Sequence, residues 1–169
     1  MMKVAVSIGS NLGNREVCIR AMERAVGALF CEPVRMSSLM ETEPVGVPEP
    51  QPWYLNRVIS GFYGGSALQL LENCLAIEAD LGRRRTRPLE PRTADIDILL
   101  FGDLVIQSAE LTVPHPEIVN RRFLLEGLRQ IDARWVVPGF NRTVSDLNRE
   151  MSLQVREQQI NFPHQFISE

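Results

Sequence analysis

The chain has 169 residues, 44% hydrophobic and 23% charged, which fits one globular domain with its own core. A net charge of −3 argues against a general nucleic-acid or membrane-surface binder, whose footprint is basic. No apolar run approaches the roughly 20 residues that span a bilayer, and no signal peptide precedes the first expected strand. Cys18, Cys31 and Cys74 form no CxxC motif, so reduced thiols in a cytoplasmic protein are expected.

In chain order, Lys3–Ile8 reads as a buried strand followed by the turn GSNLGN. Asn14 can cap a helix reaching Leu29, with Val17, Ala21, Ala25 and Ala28 as its apolar stripe. Val34–Met40 reads as a second strand, the proline-rich TEPVGVPEPQP as an irregular loop, and Tyr54–Phe62 as a third strand. Ser66 caps a second helix, in which Leu68, Leu71, Leu75 and Leu81 approximate a helical repeat and Gly82 ends it. Asp95–Phe101 is the fourth strand, and short extended pieces follow at Leu104–Ile106 and Leu111–Val113. Helices near Arg121–Ile131 and Ser145–Met151 complete the domain. Residues 1–152 are expected as one domain and 153–169 as a polar C-terminal tail. The order of the main elements, βαββαβ, predicts a ferredoxin-like α+β sandwich: a largely antiparallel sheet with helices on one face.

The chemistry concentrates between Gly82 and Leu100. Asp95 and Asp97 are two apart on a strand, so their side chains share a face. Two carboxylates brought to 4 Å repel by about 4 kcal/mol at an effective dielectric of 20 unless a cation lies between them. Hard oxygen donors favour magnesium, which keeps room for substrate phosphates. Alone, the DxD is a weak signal and reads more readily as a polar strand edge; beside Arg92 and ahead of Ile96, Ile98, Leu99 and Leu100, the metal reading is the better one.

Arg83–Arg92 holds five arginines in ten residues, either a solvated connection or a loop that closes over phosphates. Of the 18 basic residues 17 are arginine, which fits phosphate recognition and equally a coding bias. His115 sits between two prolines, and Arg121 and Arg122 open an expected helix where a phosphate can meet free backbone donors. GSNLGN lacks the GKS/GKT ending of a P-loop and reads as a tight turn with a polar platform. No Ser-His-Asp set, Cys-His set or zinc site is evident.

Five motifs occur in order: GSNLG (Gly9–Gly13), WYLN (Trp53–Asn56), PRTADIDILLFG (Pro91–Gly102), VPHP (Val113–Pro116) and NRRFLL (Asn120–Leu125). Together they resemble the 6-hydroxymethyl-7,8-dihydropterin pyrophosphokinases, over approximately Val4 to Asn148. The resemblance implies a folate-pathway enzyme that moves the terminal pyrophosphoryl unit of ATP to the pterin hydroxymethyl group and releases AMP. It implies two magnesium ions held by Asp95 and Asp97, with Arg83 and Arg92 closing on the transferring group. Arg85, Ile98, Thr112, His115 and Arg121 would hold ATP. Thr42, Val45, Tyr54, Asn56 and Phe123 would hold the pterin, with Tyr54 and Phe123 stacking on the ring. Glu78 matches a position of nearby support.

Leu75, Leu89, Glu90 and Glu110 depart from the pattern near the lid and the nucleotide. The expected partners are therefore the two small substrates, with no nucleic acid, no membrane and a monomeric state. A DxD nucleotidyltransferase, a pterin or nucleotide sensor without turnover, and an RNA-binding module are competing readings, the last disfavoured by the net charge.

Overall fold

Strand β1 (Met2–Ser10) is the centre on which both layers are built. Val4, Val6 and Ile8 face one layer and Ala5 the other, the alternation that a two-sided sheet requires. The structure, a computed structural model, describes residues 1–84 and 88–163. Helix α1 (Arg15–Leu29) follows, then β2 (Cys31–Met36), β3 (Met40–Thr42), β4 (Tyr54–Tyr63), α2 (Ala67–Asp80) and β5 (Asp95–Phe101). The remaining elements are β6 (Ile106–Gln107), β7 (Thr112–Val113), α3 (Arg122–Asp132), β8 (Val136–Val137), β9 (Arg142–Thr143), α4 (Val144–Arg149), α5 (Leu153–Arg156) and β10 (Ile160–Asn161).

The main sheet runs β10-β3-β4-β1-β5, with β2 also paired to β4 and every pairing antiparallel. This is the ferredoxin-like arrangement expected from the element order. Helices, however, cover both faces rather than one. Residues of α1 and α2 pack with Val4, Val6, Ile8, Ile96 and Ile98, while α3 and α4 pack with Ala5, Val58, Leu99 and Leu100.

Three local expectations are corrected. In α1, Asn14 does cap through Val17 N–H, but the buried stripe is Ile19, Met22 and Val26, and Val17 and Ala28 are exposed. Isoleucine, methionine and valine remove more apolar area from water than alanine, so they set the phase. In α2, the capping box of Ser66 and Gln69 fixes a phase that buries Ala67, Leu70, Cys74 and Glu78. The leucines Leu68, Leu71 and Leu75 instead line an open cavity beside β5. The expected second strand divides into β2 and β3 at Ser37, whose N–H donates to Val58 O and whose hydroxyl accepts the Val58 N–H.

Helix α3 lies unusually close to the sheet because Gly127 faces β4. A Cβ there would stand 2.3 Å from Val58 Cγ2 and 2.9 Å from Val58 Cβ. Gly127→Val is therefore expected to lose about 3 kcal/mol of stability, since overpacking must lift the helix or bend its rotamers. Urea unfolding measures this, and a loss below 0.5 kcal/mol on the same axis, roughly the surface-substitution range, contradicts it.

The segment after Leu153, expected as a polar tail, contributes α5 and β10. Ile160 pairs opposite Thr42 and Asn161 opposite Glu41.

Candidate active site

Strand register assembles the site. Gly9 lies opposite both Asn56 and Asp95, and Ser7 opposite Asp97, so one face of β4, β1 and β5 presents an amide, a gap and two carboxylates. The gap is needed: a Cβ on Gly9 would stand 2.5 Å from Asn56 Oδ1. Asn56 is buried, and its Nδ2 donates to Thr42 Oγ1 at 2.6 Å.

A cavity of about 220 Å³ opens over this face. Thr42, Val45, Tyr54, Asn56 and Phe123 all line it, together with Arg92, Asp95, Asp97, His115 and Arg121. A second cavity, about 590 Å³, lies between α2 and the loop before β7, and Ile98, Thr112, Leu111 and Leu75 line it. Asp97 and His115 belong to both cavities and form their common wall. Arg121 lines the first cavity, apart from Ile98 and Thr112 in the second. Among the positions of departure, Leu89 sits in the wall of the first cavity, whereas Leu75 and Glu110 sit in that of the second. Arg85 lies outside the described residues.

Charge is arranged in layers around the carboxylates. Glu78 is 2% exposed; its Oε1 accepts from Ile96 N–H at 2.7 Å and from Arg83 Nη1 at 2.6 Å. Arg83 Nη1 also reaches Asp95 Oδ1 at 2.7 Å, and Arg92 Nη1 meets the same oxygen at 2.9 Å. Asp95 is thus compensated by two guanidinium groups. Among the described residues Asp97 has no such partner, and 45% of its side chain is exposed. Yet crowding by the cleft walls, then the charges on Asp95 and Glu78, push its carboxyl up to about 7.

His115 is held below its ordinary range chiefly by burial, which favours the neutral ring. Its Nδ1 accepts the Glu117 N–H at 3.1 Å, leaving the proton on Nε2, which stands 3.8 Å from Asp97 Oδ1. Tyr54 is raised by burial and by Asp95, so its phenol keeps its proton. Burial beside Glu78 pushes the Cys74 thiol up to about 12, which removes it as a nucleophile.

Two contributors were not read from the sequence. Asn11, buried in the GSNLGN turn, accepts the Arg92 N–H on Oδ1 at 2.7 Å, and its Nδ2 donates to Pro52 O at 3.0 Å. It ties the arginine loop to the proline loop across the first strand. Glu117 lines the first cavity, 3.8 Å from Arg121. The i,i+4 spacing of that pair was the available signal.

Residues 5–133 match the family model described as 7,8-dihydro-6-hydroxymethylpterin-pyrophosphokinase (HPPK). The chain belongs to this family. It is 39% identical over 130 residues to the 2-amino-4-hydroxy-6-hydroxymethyldihydropteridine pyrophosphokinase of Bacillus subtilis, covering 75% of each chain. The enzyme of the same name from Haemophilus influenzae is 33% identical over 153 residues, 90% of this chain and 94% of that one. Among solved structures, the wild-type HPPK-DHPS of Plasmodium falciparum with pteroate superposes with a TM-score of 0.68 at 13% identity, a likeness of fold. That match covers 92% of this chain but 45% of the solved one, so the chain spans less than half the length of such proteins.

Proposed function

We infer that this HPPK-family chain is an ATP-dependent pyrophosphokinase acting on 6-hydroxymethyl-7,8-dihydropterin in folate biosynthesis. The observation that carries the reading is the wall shared by the two cavities. Two separate ligand spaces meet at Asp97 and His115, as a transfer between two bound substrates requires.

In this reading the pterin ring lies between Tyr54 and Phe123, and Asn56 addresses its edge with Thr42 holding the amide in place. Val45 closes the loop side. Ile98 and Thr112 receive the nucleotide in the second cavity. His115 presents Nε2–H to its phosphates from the common wall, and Arg121 reaches them from the first. Arg83 and Arg92 turn toward the transferring group, joined by Arg85.

Two magnesium ions fit the donor set. Among the described residues no three of His, Cys, Asp and Glu form a protein cage, whereas Asp95 and Asp97 offer hard oxygens and leave positions for water and phosphate. When bound, such ions neutralise the triphosphate and acidify the pterin hydroxyl. The hydroxymethyl oxygen attacks the β-phosphorus and loses its proton. The bond from that phosphorus to the α,β-bridging oxygen breaks, and AMP leaves. The chain's own work is positioning and charge compensation, the main requirements of phosphoryl-type transfer.

We place the protein in the cytoplasm, a reading supported by its three unpaired cysteines, one exposed and one half-buried. A monomer suffices, since the expected site residues that are described come from one chain. The protein incubated with the pterin, ATP and magnesium is expected to yield AMP and the pterin pyrophosphate. Release of free pyrophosphate by the folded protein would assign nucleotidyl transfer instead, and no product at all would leave a binding protein.

A further inference from the structure

We propose that Gln158–Asn161 is a strap that positions the two walls of the pterin pocket, with Gln158 as the positioning residue; this rests on the pyrophosphokinase reading above. The segment lies beyond residues 5–133, the part matched by the family model.

Helix α3 begins without a local side-chain cap. Its capping position is Arg121, whose side chain makes no capping bond, so the first N–H groups of the helix lack the usual local acceptor. Gln158 supplies one from 36 residues away: its Oε1 accepts the Arg122 N–H at 2.9 Å. Its Nε2 donates to Asn120 O at 2.8 Å, and its backbone carbonyl accepts from Arg122 Nη1 at 2.9 Å. Both ends of one amide and the adjacent carbonyl therefore grip the residues on either side of Arg121. Phe123, the expected stacking ring, is the next residue along.

The following three residues grip the opposite wall. Gln159 N–H donates to Glu43 Oε1 at 3.0 Å, Ile160 pairs opposite Thr42, and Asn161 opposite Glu41. Thr42 in turn receives the Asn56 amide. Four consecutive residues thus join the start of α3 to the end of β3, elements about eighty residues apart in sequence. Thr42, Glu43, Arg121 and Phe123 line the same cavity, whereas none of the strap's partners lines the second cavity. Fixing both sides of a flat ring pocket at ångström precision governs how well the ring is held. None of the strap's contacts reaches the second cavity, so the nucleotide feels it only through Arg121.

The test compares Gln158→Ala with Gln158→Glu in the full chain. Gln158→Ala is expected to raise the KM for the pterin about five- to tenfold, the loss typical of one or two such hydrogen bonds. kcat should change less than about twofold, and the affinity for a non-hydrolysable ATP analogue, which the strap reaches only through Arg121, should fall less than that for the pterin. Gln158→Glu keeps the acceptor for Arg122 N–H at a helix N-terminus but loses the donor to Asn120 O, and should recover part of the pterin affinity. An unchanged pterin KM in Gln158→Ala overturns the proposal. So does a fall of nucleotide affinity as large as that of pterin affinity, with a lower thermal midpoint, which would mark a merely structural role. Should the unmodified protein show no turnover, the pyrophosphokinase reading fails by itself. Calorimetric titration of the pterin into both variants, saturated with the analogue and magnesium, then still decides the strap.

Discussion

Asp97→Ala is expected to lower AMP formation by about 10³-fold or more while leaving the protein as stable as before, or slightly more so. The two halves of this result have one cause. Asp97 feels the charges of Asp95 and Glu78 and has no arginine partner among the described residues, whereas both of those carboxylates do. Removing it relieves like-charge repulsion in the resting protein. It also removes the oxygen donor placed where both cavities meet, so the reaction loses a charge it depends on. Asp97→Asn separates charge from shape: it should match the alanine variant in turnover, since a neutral amide is a poor substitute for a magnesium ligand. Turnover within tenfold of the parent in either variant would remove Asp97 from the metal assignment. Thermal unfolding supplies the second readout, and a large drop in midpoint would show that the residue holds structure instead.

Glu78→Ala is expected to do the reverse, with a loss of about 3–5 kcal/mol of stability as well as most of the activity. Its carboxylate is buried, receives the Ile96 N–H that starts β5, and anchors Arg83, whose side chain is only 8% exposed. Truncation leaves a buried guanidinium with Asp95 alone and a strand N–H without an acceptor. Glu78→Gln, which can still accept from Ile96, should fall between the two. Denaturant unfolding measures the difference, and a loss below 1 kcal/mol for the alanine variant would show that Arg83 and Ile96 find other partners. The contrast between Asp97 and Glu78 distinguishes a carboxylate kept for chemistry from one kept for architecture.

Much of the site was readable because strand periodicity is local. Asp95 and Asp97 two apart on an apolar strand had to share a face, and Asn56 on the third strand falls into the same cavity by register. The five ordered motifs then pointed to the family whose model residues 5–133 match. Helix phase was harder. Leu68, Leu71 and Leu75 carry the same apolar signal as core leucines, yet they face a cavity, because apolar side chains serve a ligand wall as well as a core. Glu78 was marked only by the family resemblance, since the expected apolar stripe of α2 passed it by, and its burial follows from a helix phase set elsewhere. The role of β10 depends on contacts more than a hundred residues distant, which no local window contains.

The grip of Arg83 and Arg92 on a single oxygen of Asp95 leaves that carboxylate already charge-compensated within the protein. On the proposed function, Asp95 would hold a metal ion only by sharing its carboxylate with those guanidinium groups, and a guanidinium released from it would be free to meet an incoming polyphosphate. Ion and nucleotide would then be coupled through an exchange of partners at one side chain.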